Sequence, residues 1–150
     1  MKAVIQRVYG AKLSVDGEIK AEIGRGLVVY VGVEQPDEYS HADALAQKVT
    51  LMRIFEDDGG KMNLSVSDLK GDILLVSNFT LCADIKNGHR PSFSGAKRPA
   101  ADAKELFDYC VRAFRSCMDK IGCGEGVKCG VFGADMKIDQ VNDGPVTIIY

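Results

Sequence analysis

The sequence predicts a single α/β domain spanning residues 1–150, a layered structure of mixed β-sheet carrying two main helices. Three observations lead there. Strand-like segments crowd both ends of the chain, two amphipathic helical segments lie between them, and two unbroken apolar runs, 26–33 and 72–77, have the make-up of strands buried on both faces. With 46% hydrophobic and 27% charged residues among 150, the chain holds enough apolar side chains for one core without disulfide or metal staples.

Residues 2–9 alternate well enough for a strand, and 12–15 with 18–23 read as a hairpin about Asp16-Gly17, a dipeptide that accepts the backbone angles of tight turns. Residues 26–33 form the first buried strand. From 40 to 52, Ala44, Leu45, Val49 and Met52 fall near helical spacing with polar residues between them, which predicts an amphipathic helix. Residues 54–56 read as a short strand, Asp57-Asp58-Gly59-Gly60 as a turn, and 72–77 as the second buried strand. Residues 82–99 show no period and contain Gly88, Pro91, Gly95 and Pro99, so they form a long loop. Asp102 is placed as the cap of a helix reaching Ile121, with Leu106, Phe107, Cys110, Phe114, Cys117 and Ile121 on its apolar face and Gly122 as its stop. Residues 127–132, 136–141 and 146–150 read as three strands, with Asn142-Asp143-Gly144-Pro145 as the turn before the last. A strand reaching Tyr150 can lie at a sheet edge, open to a second copy of the chain.

Composition narrows the function. No apolar stretch approaches the ~20 residues of a membrane helix, so no membrane partner is expected. Gln6 and Arg7 interrupt the N-terminal segment before a signal-type apolar core forms, which places the protein in the cytoplasm by expectation. Cys82, Cys110, Cys117, Cys123 and Cys129 are an odd number with no C-x-x-C pair, which argues against a disulfide framework and a zinc cluster, and with His41 and His89 alone a histidine-based metal site has few possible members. The net charge is −2, yet residues 85–101 hold Lys86, Arg90, Lys97 and Arg98 beside His89 and no acid. That window is either a solvated basic loop or a local attractor for phosphate.

Two segments concentrate chemistry. Ser77-Asn78-Phe79-Thr80 follows a buried strand, where α/β sheets expose functional groups. Its hydroxyls and amide either satisfy turn backbone or line a site whose N–H groups hold an oxyanion. Cys82 with His89 seven residues on is the nearest approach to a thiol nucleophile and its base; a buried, inert thiol is the alternative. Asn142-Asp143-Gly144-Pro145-Val146-Thr147 is the second segment. It is either an ordinary turn or a display of bare carbonyls, because glycine allows close approach and proline donates no N–H. Such carbonyls accept hydrogen bonds from a ligand ammonium.

Taken in order, Met1-Lys2-Ala3-Val4-Ile5-Gln6-Arg7-Val8, Ser77-Asn78-Phe79-Thr80-Leu81, Arg90-Pro91-Ser92-Phe93-Ser94-Gly95, Phe132-Gly133-Ala134-Asp135-Met136 and Asn142-Asp143-Gly144-Pro145-Val146-Thr147 resemble the D-aminoacyl-tRNA deacylase family over the whole chain. The resemblance implies a barrel-like fold and a hydrolase, without metal or organic cofactor, that cleaves the ester between a D-amino acid and the 3′-terminal adenosine of tRNA. Glycyl esters would also be accepted. It implies a homodimer with active sites at the interface, in which Gly144-Pro145, cis, enters the partner's site, holds the substrate α-amino group and excludes L-aminoacyl-tRNA. Backbone N–H groups around Asn78 and Phe79, beside Ser77, would stabilise the oxyanion while the terminal 2′-hydroxyl assists hydrolysis.

By the same resemblance Thr80 lines the site, Arg7 orients the Gly-Pro pair, and Asn142 belongs to the substrate-binding segment. Phe93, Phe132 and Met136 either flank the terminal adenine or pack in the core. The sequence departs from the family pattern at Asn78, where glutamine is usual; the shorter amide keeps the chemistry and loses one methylene of reach. Two other readings stay open: a non-catalytic tRNA- or nucleotide-binding module using the basic loop, and a thiol hydrolase using Cys82.

Overall fold

The computed structural model describes residues 1–86 and 88–150; Asn87, within the basic loop, lies outside them. The first strand is longer than the sequence suggests. Residues 2–9 and 12–15 form one strand, β1 (Lys2–Val15), with a register shift between Val8 and Gly10 against its last partner. The extra residue reverses the pleat's parity. Ala3 and Ile5 face one core, whereas Val8, Ala11 and Leu13 face the other. β2 (Glu18–Ile23) pairs antiparallel with the second half of β1, and β3 (Gly26–Gly32) with its first half.

β6 (Asp72–Ser77) runs parallel to β3, and β7 (Val127–Cys129) parallel to β6. Leu27, Val29, Val31, Ile73 and Leu75 point into one core, while Val28, Leu74 and Val76 point into the other. This two-sided burial is why both segments read as unbroken apolar runs. α1 (Tyr39–Thr50) and α2 (Ala100–Asp119) cover the first of these faces. A small hairpin of β4 (Phe55–Glu56) and β5 (Met62–Leu64) flanks the sheet; β5 has no counterpart among the expected strands. β8 (Lys137–Ile149) runs along the remaining edge of β1, and the whole is barrel-like and nearly closed.

Several boundaries differ from the sequence expectation. α1 buries Ala42, Leu45, Ala46 and Val49, and leaves Ala44 exposed. α2 begins at Ala100 behind Pro99, so Asp102 lies in the first turn, where its charge meets the positive end of the helix dipole but caps nothing. α2 ends at Asp119, and Ile121 is exposed beyond it. Phe132 follows β7 rather than belonging to it. The largest difference is at the end of the chain. Residues 136–141 and 146–150 are not two strands joined by a turn; β8 passes through Asn142-Asp143-Gly144-Pro145 without reversing. Among the described residues no helix is long and apolar enough to cross a membrane.

Candidate active site

The first cluster forms where β6 leaves the sheet. The Asn78 N–H donates to the Val31 carbonyl at 2.8 Å, which prolongs the parallel register by one residue, and the chain then tightens into a single 3-10 turn, Phe79–Cys82. Asn78 caps that turn: its Oδ1 accepts from the Thr80 N–H at 3.3 Å and from the Thr80 hydroxyl. The Thr80 proton is thereby directed at an amide, leaving the oxygen lone pairs as acceptors. With Thr80's N–H held by Asn78, that of Phe79 is the donor the turn leaves for an incoming oxygen.

A cavity of about 340 Å³ opens beside this turn, with Ser77, Asn78, Phe79, Tyr30, Phe132 and Met136 among its walls. Phe79 is 60% exposed and meets Phe93 edge to face, with ring centroids 5.1 Å apart. Phe132 tilts against Phe107 at 6.0 Å, so it joins the cavity wall to the core. Lys97, from the basic loop, also reaches the wall while its ammonium donates to the Gln35 and Asp37 carbonyls at 3.2 and 3.0 Å.

The second cluster is built on β8. Gln6 pairs with Thr147 and Val8 with Asn142, so residues 143–146 stand opposite the single residue Arg7 and bulge out of the ladder. Gly144 and Pro145 are exposed at its crest, joined by a cis peptide bond, and Gly144 has φ +116. A Cβ on Gly144 would lie 2.9 Å from the Val146 nitrogen, so only glycine fits.

Beneath the crest Arg7 is 4% exposed. Its Nη1 donates to the Ile54 carbonyl at 2.6 Å and its Nη2 to Asp143 Oδ1 at 3.2 Å. The Nε lies 3.0 Å from Asp143 Oδ2, an ion-pair contact whose N–H is not aligned as a hydrogen bond. The guanidinium also sits 5.9 Å from the centre of the Phe55 ring. A buried charge held on three sides is an anchor.

Within one chain the structure brings Ser77, Asn78, Phe79, Phe132 and Met136 to one cavity, with Phe93 against Phe79. It brings Arg7 to the base of the Gly144-Pro145 bulge, with Asn142 at its edge. The cavity walls include neither Gly144 nor Pro145, so within one chain the two clusters are separate. Thr80 stands outside the cavity wall, exposed. Sequence reasoning missed Tyr30 and Asp143. Asp143 was findable, because an arginine inside an alternating strand calls for a buried carboxylate. Cys82 is buried, its Sγ 3.6 Å from the Val33 carbonyl, and desolvation, aided by the Glu34 charge, pushes its thiol up. That environment opposes a thiolate nucleophile.

A family model described as D-Tyr-tRNA(Tyr) deacylase matches residues 4–150. The chain belongs to this family. It is 50% identical over 149 residues to a D-aminoacyl-tRNA deacylase of Geotalea daltonii, covering 99% of this chain and 95% of that one. Over 147 residues it is 50% identical to a D-aminoacyl-tRNA deacylase of Photobacterium profundum, covering 98% and 97%. Among solved structures it superposes on a c-Myc DNA unwinding element binding protein with a TM-score of 0.92, at 37% identity over 100% of this chain and 97% of the other. A probable eukaryotic D-amino acid tRNA deacylase shares the fold, with a TM-score of 0.83 at 18% identity over 99% and 97%.

Proposed function

We propose that the protein is a cytoplasmic hydrolase that cleaves the ester of D-aminoacyl-tRNA and of glycyl esters on tRNA, releasing the amino acid and rejecting L-aminoacyl-tRNA. The observation that carries this reading is the near full-length match to curated deacylases at 50% identity. The geometry supports it. Water adds to the ester carbonyl with help from the terminal 2′-hydroxyl, and the oxyanion accepts from the Phe79 N–H at the open start of the 3-10 turn. Collapse breaks the bond to the 3′-oxygen, which takes up the proton lost by water. The terminal adenine lies against the cavity formed by Phe132 and Met136, beside the Phe79–Phe93 pair.

Chirality is read by the Gly144-Pro145 bulge of a second copy. The separation of the two half-sites within one chain supports this arrangement, as does the exposure of Tyr9, Val141 and Ile149 along β1 and β8, apolar surface that a homodimer would cover. Carbonyls on the crest accept from the substrate ammonium, and the rigid backbone clashes with a side chain of L configuration, so rejection needs no reading of side-chain identity. A second reading, nucleic-acid binding without turnover, is favoured by the acid-free window at 85–101 and the similarity to a DNA element binding protein. Single-turnover hydrolysis of D-tyrosyl-tRNA and L-tyrosyl-tRNA, with chelator present, separates the two. Rapid loss of the D-ester alone is expected; binding of tRNA with loss of neither ester favours the second reading.

A further inference from the structure

Gln140 has a side chain whose hydrogen bonds reach both half-sites. It stands on β8 opposite Ala11, two residues before Asn142. Its Oε1 accepts from the Tyr30 hydroxyl at 3.0 Å, and Tyr30 is a wall of the cavity beside Asn78. Its Nε2 donates to Gln6 Oε1 at 2.8 Å and to Asn142 Oδ1 at 2.6 Å. Gln6 passes the chain on, donating from its own Nε2 to the Thr147 hydroxyl at 3.3 Å. Both N–H donors of the Gln140 amide are therefore spent, and its oxygen is occupied.

The partners have a pattern. Gln6–Thr147 and Val8–Asn142 are the pairs that bracket the bulge. One amide thus ties down both feet of residues 143–146 and fastens them to a cavity-wall phenol. The donors run one way, from Tyr30 to Gln140 to Gln6 to Thr147, so each bond polarises the next. The Arg7–Asp143 pair holds the bulge from beneath, whereas this chain fixes its two ends across the ladder.

We propose that Gln140 is a positioning residue that sets the height and pitch of the Gly144-Pro145 crest and, through Tyr30, couples it to the cavity of the same chain. It touches no reacting atom. The inference rests on the reading that this crest selects the D-configuration. Gln140→Leu removes every bond, Gln140→Glu keeps the acceptor for Tyr30 while losing both donors, and Tyr30→Phe cuts only the arm to the cavity.

The test has two readouts on the full-length protein. The first is the ratio of kcat/KM for D-tyrosyl-tRNA over L-tyrosyl-tRNA. Gln140→Leu and Gln140→Glu are expected to lower it about tenfold, as the loss of two or three hydrogen bonds from a positioning network would, with a smaller fall for Tyr30→Phe. A fall of about threefold or more in both Gln140 variants supports the proposal, and a smaller one overturns it, since a merely structural residue lowers both rates together. The second is amide exchange: residues 142–147 should exchange about tenfold faster in both Gln140 variants while residues 26–32 stay unchanged. Should Gln140→Leu fail to fold, Gln140→Glu decides alone. If the wild type shows no preference for the D-ester, the functional reading fails by itself, and exchange still decides the anchoring: faster exchange upholds it, unchanged exchange sinks it.

Discussion

The two clusters are held by opposite kinds of force. The strand-end turn at residues 77–82 is an extension of a parallel ladder buried on both faces, and its useful groups are mostly backbone: an amide at the start of a turn, a cap, a cavity wall. The bulge at residues 143–146 is lifted out of its ladder and held by side chains, with Arg7 and Asp143 below and Gln6, Gln140 and Asn142 at its ends. Backbone donors set by a packed sheet depend on few side chains, here chiefly the Asn78 cap, whereas a crest hung on ionic and amide contacts is sensitive to each of them. Substitutions at the bulge should therefore alter selectivity, and substitutions at the turn should alter rate.

The largest effect is expected at the buried ion pair. Asp143→Ala leaves the Arg7 charge without its carboxylate and should lower unfolding stability by about 3–5 kcal/mol in urea titrations, with D/L discrimination collapsing. A loss below about 1 kcal/mol with discrimination intact would break the contrast. Next, Gly144→Ala places a methyl 2.9 Å from the Val146 nitrogen at a φ of +116. About 1–3 kcal/mol should be lost, and the D/L ratio should fall while affinity for adenosine stays unchanged by calorimetry.

At the turn, Asn78→Ala removes the cap on Thr80 and should reduce stability by about 1 kcal/mol, lowering the rate with the D/L ratio preserved. A changed ratio in this variant would show that the turn also reads chirality. The smallest effect belongs to Cys82. Cys82→Ser should keep turnover within about twofold, because desolvation keeps the thiol protonated and unreactive. The raised folded value gives this residue a pH signature. Its contribution is fully present below the ordinary thiol value of 9.0 and is lost as pH climbs past it, so the wild type should lose stability relative to Cys82→Ser only in alkaline titrations.

What the sequence revealed divides along the same line. The runs at 26–33 and 72–77 declared themselves through two-sided burial, and Leu106, Phe107, Cys110 and Phe114 marked the buried face of α2. These signals are local. The course of β8 was not legible, because Asn-Asp-Gly-Pro is equally good chemistry for a reversal and for a bulge; the choice is made by register against β1. The continuity of β1 past Gly10 was hidden for a related reason, since the extra residue shifts the apolar pattern and mimics a break. Asn78 and Thr80 were placed at the strand end, but their mutual side-chain bond also needs the 3-10 turn that brings Thr80 back to Asn78. Arg7 called for a carboxylate that the second segment supplies in Asp143, whereas Gln140 became visible only once its partners were in place.

The bond between Arg7 and Asp143 joins residues 136 positions apart. No part of the bulge can be assembled from neighbours, because its anchor lies in the first strand and its crest in the last. During synthesis the strand-end turn can form once β3 and β6 have met, while the anchored crest must wait until nearly the whole chain has emerged. In the proposed enzyme the crest would thus be among the last parts to be built, and the cavity, whose walls include Phe132 and Met136, would close only shortly before it.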